Sequence, residues 1–114
     1  AVQDAAETLH ENFVKRAFQT DSICQLATAS PHPVLVCGDF NSLPSSYTYH
    51  RFSESLKDGF KTGGHGYMYT YRYGKRMLRI DYAFHSPELE CTDYYSPNLD
   101  LCSDHNPVIF TVKY

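Results

Sequence analysis

Val34-Leu35-Val36-Cys37-Gly38-Asp39-Phe40-Asn41 is the stretch on which the reading of this chain turns. Four apolar residues, two of them β-branched, run from Pro33 into Gly38, an aspartate and an asparagine. The run predicts a buried strand, with Cys37 a small core residue, whose end delivers Asp39 and Asn41 into a crevice. In sheets covered by helices, sites gather beyond the carboxyl ends of strands. Two later stretches carry groups suited to meet this one: Arg79-Ile80-Asp81-Tyr82 and Ser103-Asp104-His105.

Upstream, Thr28 to Pro33 reads as a connector, because two prolines stop a helix and aim the chain into the strand. Residues 2–20 have helical periodicity. Val2, Ala6, Leu9, Phe13 and Ala17 fall on one stripe, widened by Val14 and Phe18. The stripe predicts a helix packed on a sheet, with Glu11 and Lys15 paired on its outer face.

Downstream, Ser42 to Ser46 reads as a loop ending in a helix cap. Tyr49, Phe52 and Leu56 give the next helix an apolar side, and Gly59 is its expected terminator. Tyr67, Tyr69, Tyr71 and Tyr73 then alternate with Met68, Thr70 and Arg72, a period of two that predicts a strand. Tyr73 to Arg76 reads as a turn. Lys61, Arg72, Lys75, Arg76 and Arg79 are half of the 10 Lys and Arg residues, and no acid interrupts them. Either this is an exposed hairpin with solvated charges, or Tyr69, Tyr71, Arg72 and Arg79 hold a phosphorylated or base-bearing substrate. Leu78 to Phe84 predicts a strand with Asp81 opposite its large apolar residues. Glu90 to Tyr95 and Val108 to Val112 predict two more.

The 114 residues suit one domain, 1–114, and the net charge of −3 does not suit a polybasic nucleic-acid binder. No apolar run approaches the roughly 20 residues of a membrane helix. The four cysteines lack C-x-x-C spacing, which argues against a zinc knuckle. The chain starts at Ala1 rather than Met, as a fragment or a processed product would.

Taken singly, Asp39 and Asn41 read as turn or cap residues. Asp81 is harder to dismiss, since an acid within an apolar strand needs a partner. Ser103, Asp104 and His105 cannot form a relay among themselves, because adjacent residues in an extended segment point apart. Together, three acids, an amide and an imidazole suit phosphoester hydrolysis. A carboxylate can hold Mg²⁺, a second can orient or deprotonate water, and an asparagine can donate to a phosphoryl oxygen. A carboxylate behind the histidine, such as Asp81, makes it easier to charge.

Gly38-Asp39-Phe40-Asn41, Arg79-Ile80-Asp81-Tyr82 and Ser103-Asp104-His105, in this order, resemble the last three motifs of the endonuclease/exonuclease/phosphatase superfamily, the deoxyribonuclease-I-like fold. Gly66 to Tyr71 also resembles its aromatic Thr-Tyr segment. The resemblance implies an α/β fold, part of a two-sheet α/β sandwich with mostly antiparallel or mixed sheets and flanking helices. It also implies phosphoester cleavage dependent on Mg²⁺ or Mn²⁺. Asp39 resembles the water-activating or leaving-group acid, and Asn41 the transition-state donor. Asp104 resembles a metal ligand, and His105 the phosphate-contacting histidine that Asp81 orients. The family cleaves DNA, RNA, phosphoinositides and sphingomyelin, so a nucleic acid and a phospholipid headgroup both stand as substrates.

The family's earlier half carries an asparagine near the first strand, a metal-binding glutamate and a further histidine or tyrosine. No segment here supplies them, since Glu7 and Glu11 lie on an amphipathic helix. The chain is therefore expected to be the C-terminal portion of one such domain. Three consequences are expected: the missing N-terminal half as a partner, weak or absent catalysis alone, and self-association through an exposed sheet. The alternatives are a scaffold that keeps the fold without catalysis, and a nucleic-acid-binding module using the Tyr/Arg hairpin.

Overall fold

The layers of the molecule meet on the strand that begins at Asp81. The computed structural model describes residues 2–66, 68–73, 76–98 and 103–114. In chain order the elements are α1 (Val2–Ala29), β1 (Leu35–Asp39), α2 (Tyr47–Ser53), β2 (Lys57–Asp58), α3 (Gly59–Gly63), β3 (Tyr71–Tyr73), β4 (Arg76–Leu78), β5 (Asp81–His85), β6 (Glu90–Tyr95) and β7 (Ile109–Lys113). β5 lies between β1 and β2, antiparallel to both. β3 pairs with β4, and β6 with β7, also antiparallel.

Successive residues of a strand face opposite sides, and β5 buries both. Tyr82 and Phe84 face the helices, packing with Cys24 of α1, Tyr49 and Phe52 of α2, and Leu56. Ala83 faces the other way, into a second cluster with Met68, Cys91 and Tyr94, flanked by Phe110 and Val112 of β7. Helices, the β1-β5-β2 sheet and the β6-β7 pair are thus stacked in order. The chain is part of a two-sheet α/β sandwich.

Local chemistry sets the helix ends. Ser46 caps α2 by accepting from the Tyr49 N–H at 3.2 Å, and Asp58 caps α3 by accepting from Phe60 N–H at 3.0 Å. Glycine is needed at Gly63, where a Cβ would sit 2.7 Å from the Cys91 carbonyl oxygen.

Several expectations are corrected. α1 continues nine residues beyond 20, to Ala29, and stops where Pro31 disfavours helix in the residue before it. Its predicted apolar stripe is not packed on a sheet: Leu9 is 71% and Phe18 73% exposed, and Phe13 and Val14 are exposed too. The contacts come instead from the C-terminal half, through Cys24 and Ala27. The Val2 side chain lies outside the described set. β1 is an edge strand rather than a buried one. Val36 packs on the core, while Leu35 and Cys37 are exposed. α2 ends at Ser53, and Gly59 opens α3 rather than closing α2. The tyrosine-rich strand is confined to Tyr71–Tyr73; Tyr67 lies outside the described residues, as do Gly74 and Lys75 at the middle of the turn expected over Tyr73 to Arg76. The 78–84 run is broken at Arg79-Ile80, and the N–H groups of Ile80 and Asp81 turn to the Thr70 side chain.

Candidate active site

Register builds the site. In the β1/β5 ladder Asp39 stands directly opposite Asp81. Side chains so paired have Cβ atoms about 4.5–5.5 Å apart, and like charges there repel. A cation between them removes the repulsion, and His105 is one candidate. Its Nδ1 lies 2.9 Å from Asp81 Oδ2 and its Nε2 3.7 Å from Asp39 Oδ2. One ligand atom from each of Asp39, Asp81 and His105 falls within 4.8 Å of the others.

Each group is held from behind. Phe40 donates its N–H to the Ile80 carbonyl at 2.9 Å, and its ring packs on Phe52, Tyr82 and Phe84. The ring is partly buried, and these contacts hold the end of β1 against the core. Asn41 adopts φ +48°, and its N–H donates to Asp39 Oδ1 at 2.9 Å. Asparagine tolerates that left-handed conformation better than most residues. Both Asp39 oxygens are thus engaged: Oδ1 closes the turn, and Oδ2 faces the imidazole.

Thr70 is the hidden support. It is fully buried, and its Oγ1 accepts from the N–H groups of Ile80 and Asp81, each at 3.1 Å. Its own N–H donates to the Leu78 carbonyl, and its carbonyl accepts from Asn106 N–H at 2.7 Å. One residue thus ties the start of β5 to the segment carrying His105. That segment is also held by the Arg72 N–H donating to the Asp104 carbonyl at 3.0 Å. The Tyr71 ring lies on the His105 ring, with centroids 4.7 Å apart.

The His105 imidazole is held above its ordinary value of 6.5. The hydrogen bond to Asp81 is the main cause, and the charges of Asp81, Asp39 and Asp104 add to it. With Nδ1–H donated to Asp81, a proton on Nε2 faces Asp39, so the imidazolium suits both neighbours.

Asp39, Asp81, His105 and Tyr71 are therefore brought together, and Asn41 adjoins them through its backbone bond to Asp39. Asp104 is exposed beside His105, and its carboxylate is not among the three grouped ligands. Tyr69 lines a separate cavity of about 180 Å³ with His65 and Tyr94. Arg79 is not brought to the site. Its Nη1 donates to Asp58 Oδ2 at 2.8 Å, and the guanidinium lies over the rings of Phe60, Tyr82 and Tyr49. Asp58 also accepts from the Tyr49 hydroxyl at 2.7 Å. Sequence reasoning missed Thr70 and Asp58 as supports. Thr70's parity, opposite to Tyr69 and Tyr71, was a usable signal for its inward aim, but Asp58 gave none.

The donor set fits a hard divalent cation: two carboxylates and an imidazole, with no thiolate among them.

Residues 10–105 match the endonuclease/exonuclease/phosphatase family. Among solved structures, an endonuclease/exonuclease/phosphatase from Bacteroides vulgatus aligns with a TM-score of 0.76 and 25% identity, over 86% of this chain and 43% of its own. A conserved protein from Enterococcus faecalis V583 aligns at 0.70 and 20% identity, over 86% and 44%. A mannosyl-6-phosphatase from Bacteroides thetaiotaomicron aligns at 0.61 and 23% identity, again over 86% and 44%. The last two bear on the fold alone. No match was found among curated protein sequences. The chain spans less than half the length of these structures. With the family matched across the three motif stretches and the fold shared, this chain belongs to the endonuclease/exonuclease/phosphatase family.

Proposed function

We propose that this chain is the C-terminal portion of a phosphoester hydrolase, a nuclease or phosphatase, that depends on Mg²⁺ or Mn²⁺. The observation that carries the proposal is the Asp39–Asp81 register pair with His105 against both carboxylates. Asp39 acts on the attacking water or the leaving oxygen. Asn41, at the turn Asp39 closes, donates to a phosphoryl oxygen as charge builds there. His105, oriented through Nδ1 by Asp81, offers Nε2–H to the phosphate. Asp104, on the rim, reaches a cation with its carboxylate. When bound, that cation supplies charge neutralisation at the phosphate and the leaving oxygen.

Tyr71, on the His105 ring, forms the substrate wall, for a nucleic acid or a phospholipid headgroup, while Tyr69 faces its own cavity and Arg72 adjoins the wall through its backbone bond to Asp104. Arg79, held in the core by Asp58, stands apart from this wall. The remaining N-terminal half of the domain is the partner that completes the site, and the chain alone is inactive. Exposed Leu35, Tyr95 and Ile109 on the strands favour self-association.

The test is a thermal melt of the chain against Mg²⁺ and Mn²⁺. The proposal expects a rise in midpoint that Asp39→Ala and Asp104→Ala each remove. No rise with either ion refutes it in favour of a scaffold that keeps the fold without the chemistry.

A further inference from the structure

β1 leaves one side of its sheet open. Its five residues, Leu35–Asp39, pair with β5 on one side alone, whereas β2, at the opposite edge, has only two residues. The phase of the ladder is fixed at both ends: Phe40 donates its N–H to the Ile80 carbonyl, and the Val34 carbonyl accepts from the Ser86 N–H. In an antiparallel pair, residues that exchange both backbone bonds alternate with residues that exchange none. Val34, Val36, Gly38 and Phe40 therefore turn their backbone groups to β5, and Leu35, Cys37 and Asp39 turn theirs outward. These three are exposed, and no strand among the described residues takes up their outward N–H and carbonyl groups.

Proteins commonly blunt such an edge with lysine, proline or a bulge. β1 has none of these, and its one charge, Asp39, lies at its end. Between α1 and β1 runs a groove of about 350 Å³, lined by Gln19, Ile23, Val36 and Gly38 among others. Edge and groove together form a berth for one more strand, with backbone bonds along the edge and room for side chains on the helix side.

We propose that this berth takes β1 of a second copy of the chain, paired antiparallel about a two-fold axis at Cys37. This register alone engages all three outward residues of each copy. Cys37 exchanges both bonds with the partner's Cys37, and Leu35 with the partner's Asp39. Val36 lies beside the partner's Gly38 on the groove side, where the absent side chain leaves room for the valine. The two Asp39 residues stand about 14 Å apart along the strands, four residues at about 3.4 Å each, beyond the screening length of about 8–10 Å. The pairing also pins the backbone of Asp39, whose carboxylate faces His105. The inference rests on the self-association proposed above, and not on the phosphoester chemistry.

The test is sedimentation equilibrium of the 114-residue chain over a concentration series, with reductant present. Cys37→Pro removes an outward N–H and leaves the bonds to β5 in place. Cys37→Ser keeps the N–H and controls for the lost thiol. The parent is expected to dimerise, Cys37→Pro to raise the dimer Kd by about 10-fold or more, and Cys37→Ser to stay within about twofold. A smaller rise in Cys37→Pro, or an equal rise in Cys37→Ser, overturns the inference and leaves the association to another surface. A parent that stays monomeric throughout overturns both, and leaves the edge to the remaining portion of the domain without touching the proposed cation site. Circular dichroism checks each fold. If Cys37→Pro does not fold, amide exchange of the parent decides. Protection of Leu35, Cys37 and Asp39 that grows with concentration supports the pairing, and protection unchanged there while the chain dimerises overturns it.

Discussion

Thr70→Val is the sharpest perturbation of the support beneath the site. Valine matches threonine in shape, so the packing is kept and only the oxygen is lost. Two N–H groups, those of Ile80 and Asp81, then lose their acceptor at a position with no solvent access. An unsatisfied buried donor costs about 1–3 kcal/mol. The added methyl returns roughly 0.8 kcal/mol, and both donors relax in part, leaving a net loss of about 2–4 kcal/mol. Thr70→Ser makes the opposite trade. It keeps the acceptor and loses a methyl, for about 1 kcal/mol. Urea denaturation of parent, Val and Ser variants measures both. The loss should also loosen Asp81 against His105, so the His105 pKa should fall in Thr70→Val and hold in Thr70→Ser. A valine variant as stable as the parent, or a serine variant weaker than the valine one, refutes the hydrogen-bond account.

Four further outcomes are expected. His105 has a raised pKa in the folded chain, so its contribution to stability is fully present below about pH 6.5 and is lost as pH rises through the folded value. The melting difference between parent and Asp81→Asn should therefore shrink from pH 6 to pH 8, and a difference that grows over that range contradicts the assignment. Arg79→Met strands the buried Asp58 carboxylate and should cost about 3–5 kcal/mol in urea denaturation; a change under 1 kcal/mol would show the pair to be solvated. With bis(p-nitrophenyl) phosphate and Mn²⁺, the chain alone should show little or no turnover, and robust turnover abolished by Asp39→Ala would show that the rest of the domain is not required. Leu35→Lys with Ile109→Lys should shift sedimentation toward monomer, and an unchanged profile would place any association elsewhere.

What was legible in the sequence, and what was not, follows from the range of each interaction. The three motif stretches stood out because each joins a short apolar run to polar residues at its end, a local pattern. Strand parity put Asp81 opposite Tyr82 and Phe84, as found. Burial was less legible, since it depends on what lies across from a segment. Leu9, Phe13 and Phe18 have the periodicity of a packed face and stand exposed, and Cys37 sits in an apolar run but on an edge. Arg79 shows the same limit. Its place in a basic stretch suggested a ligand contact, whereas Asp58, 21 residues away, holds it in the core. Thr70 bonds to residues 10 and 11 positions on and to Asn106 besides, a role that no spacing rule carries.

The central claim, that Asp39, Asp81 and His105 gather around one cation position, is tested most directly by amide NMR of the chain during substoichiometric addition of Mn²⁺. Paramagnetic broadening falls steeply with distance. The amides of Asn41, Asp81, His105 and Asn106 should broaden first and together, and Asp39→Asn should abolish the effect. Broadening that begins at Asp4, Glu7 and Glu11 on α1, or spreads evenly over surface acids, would contradict the claim.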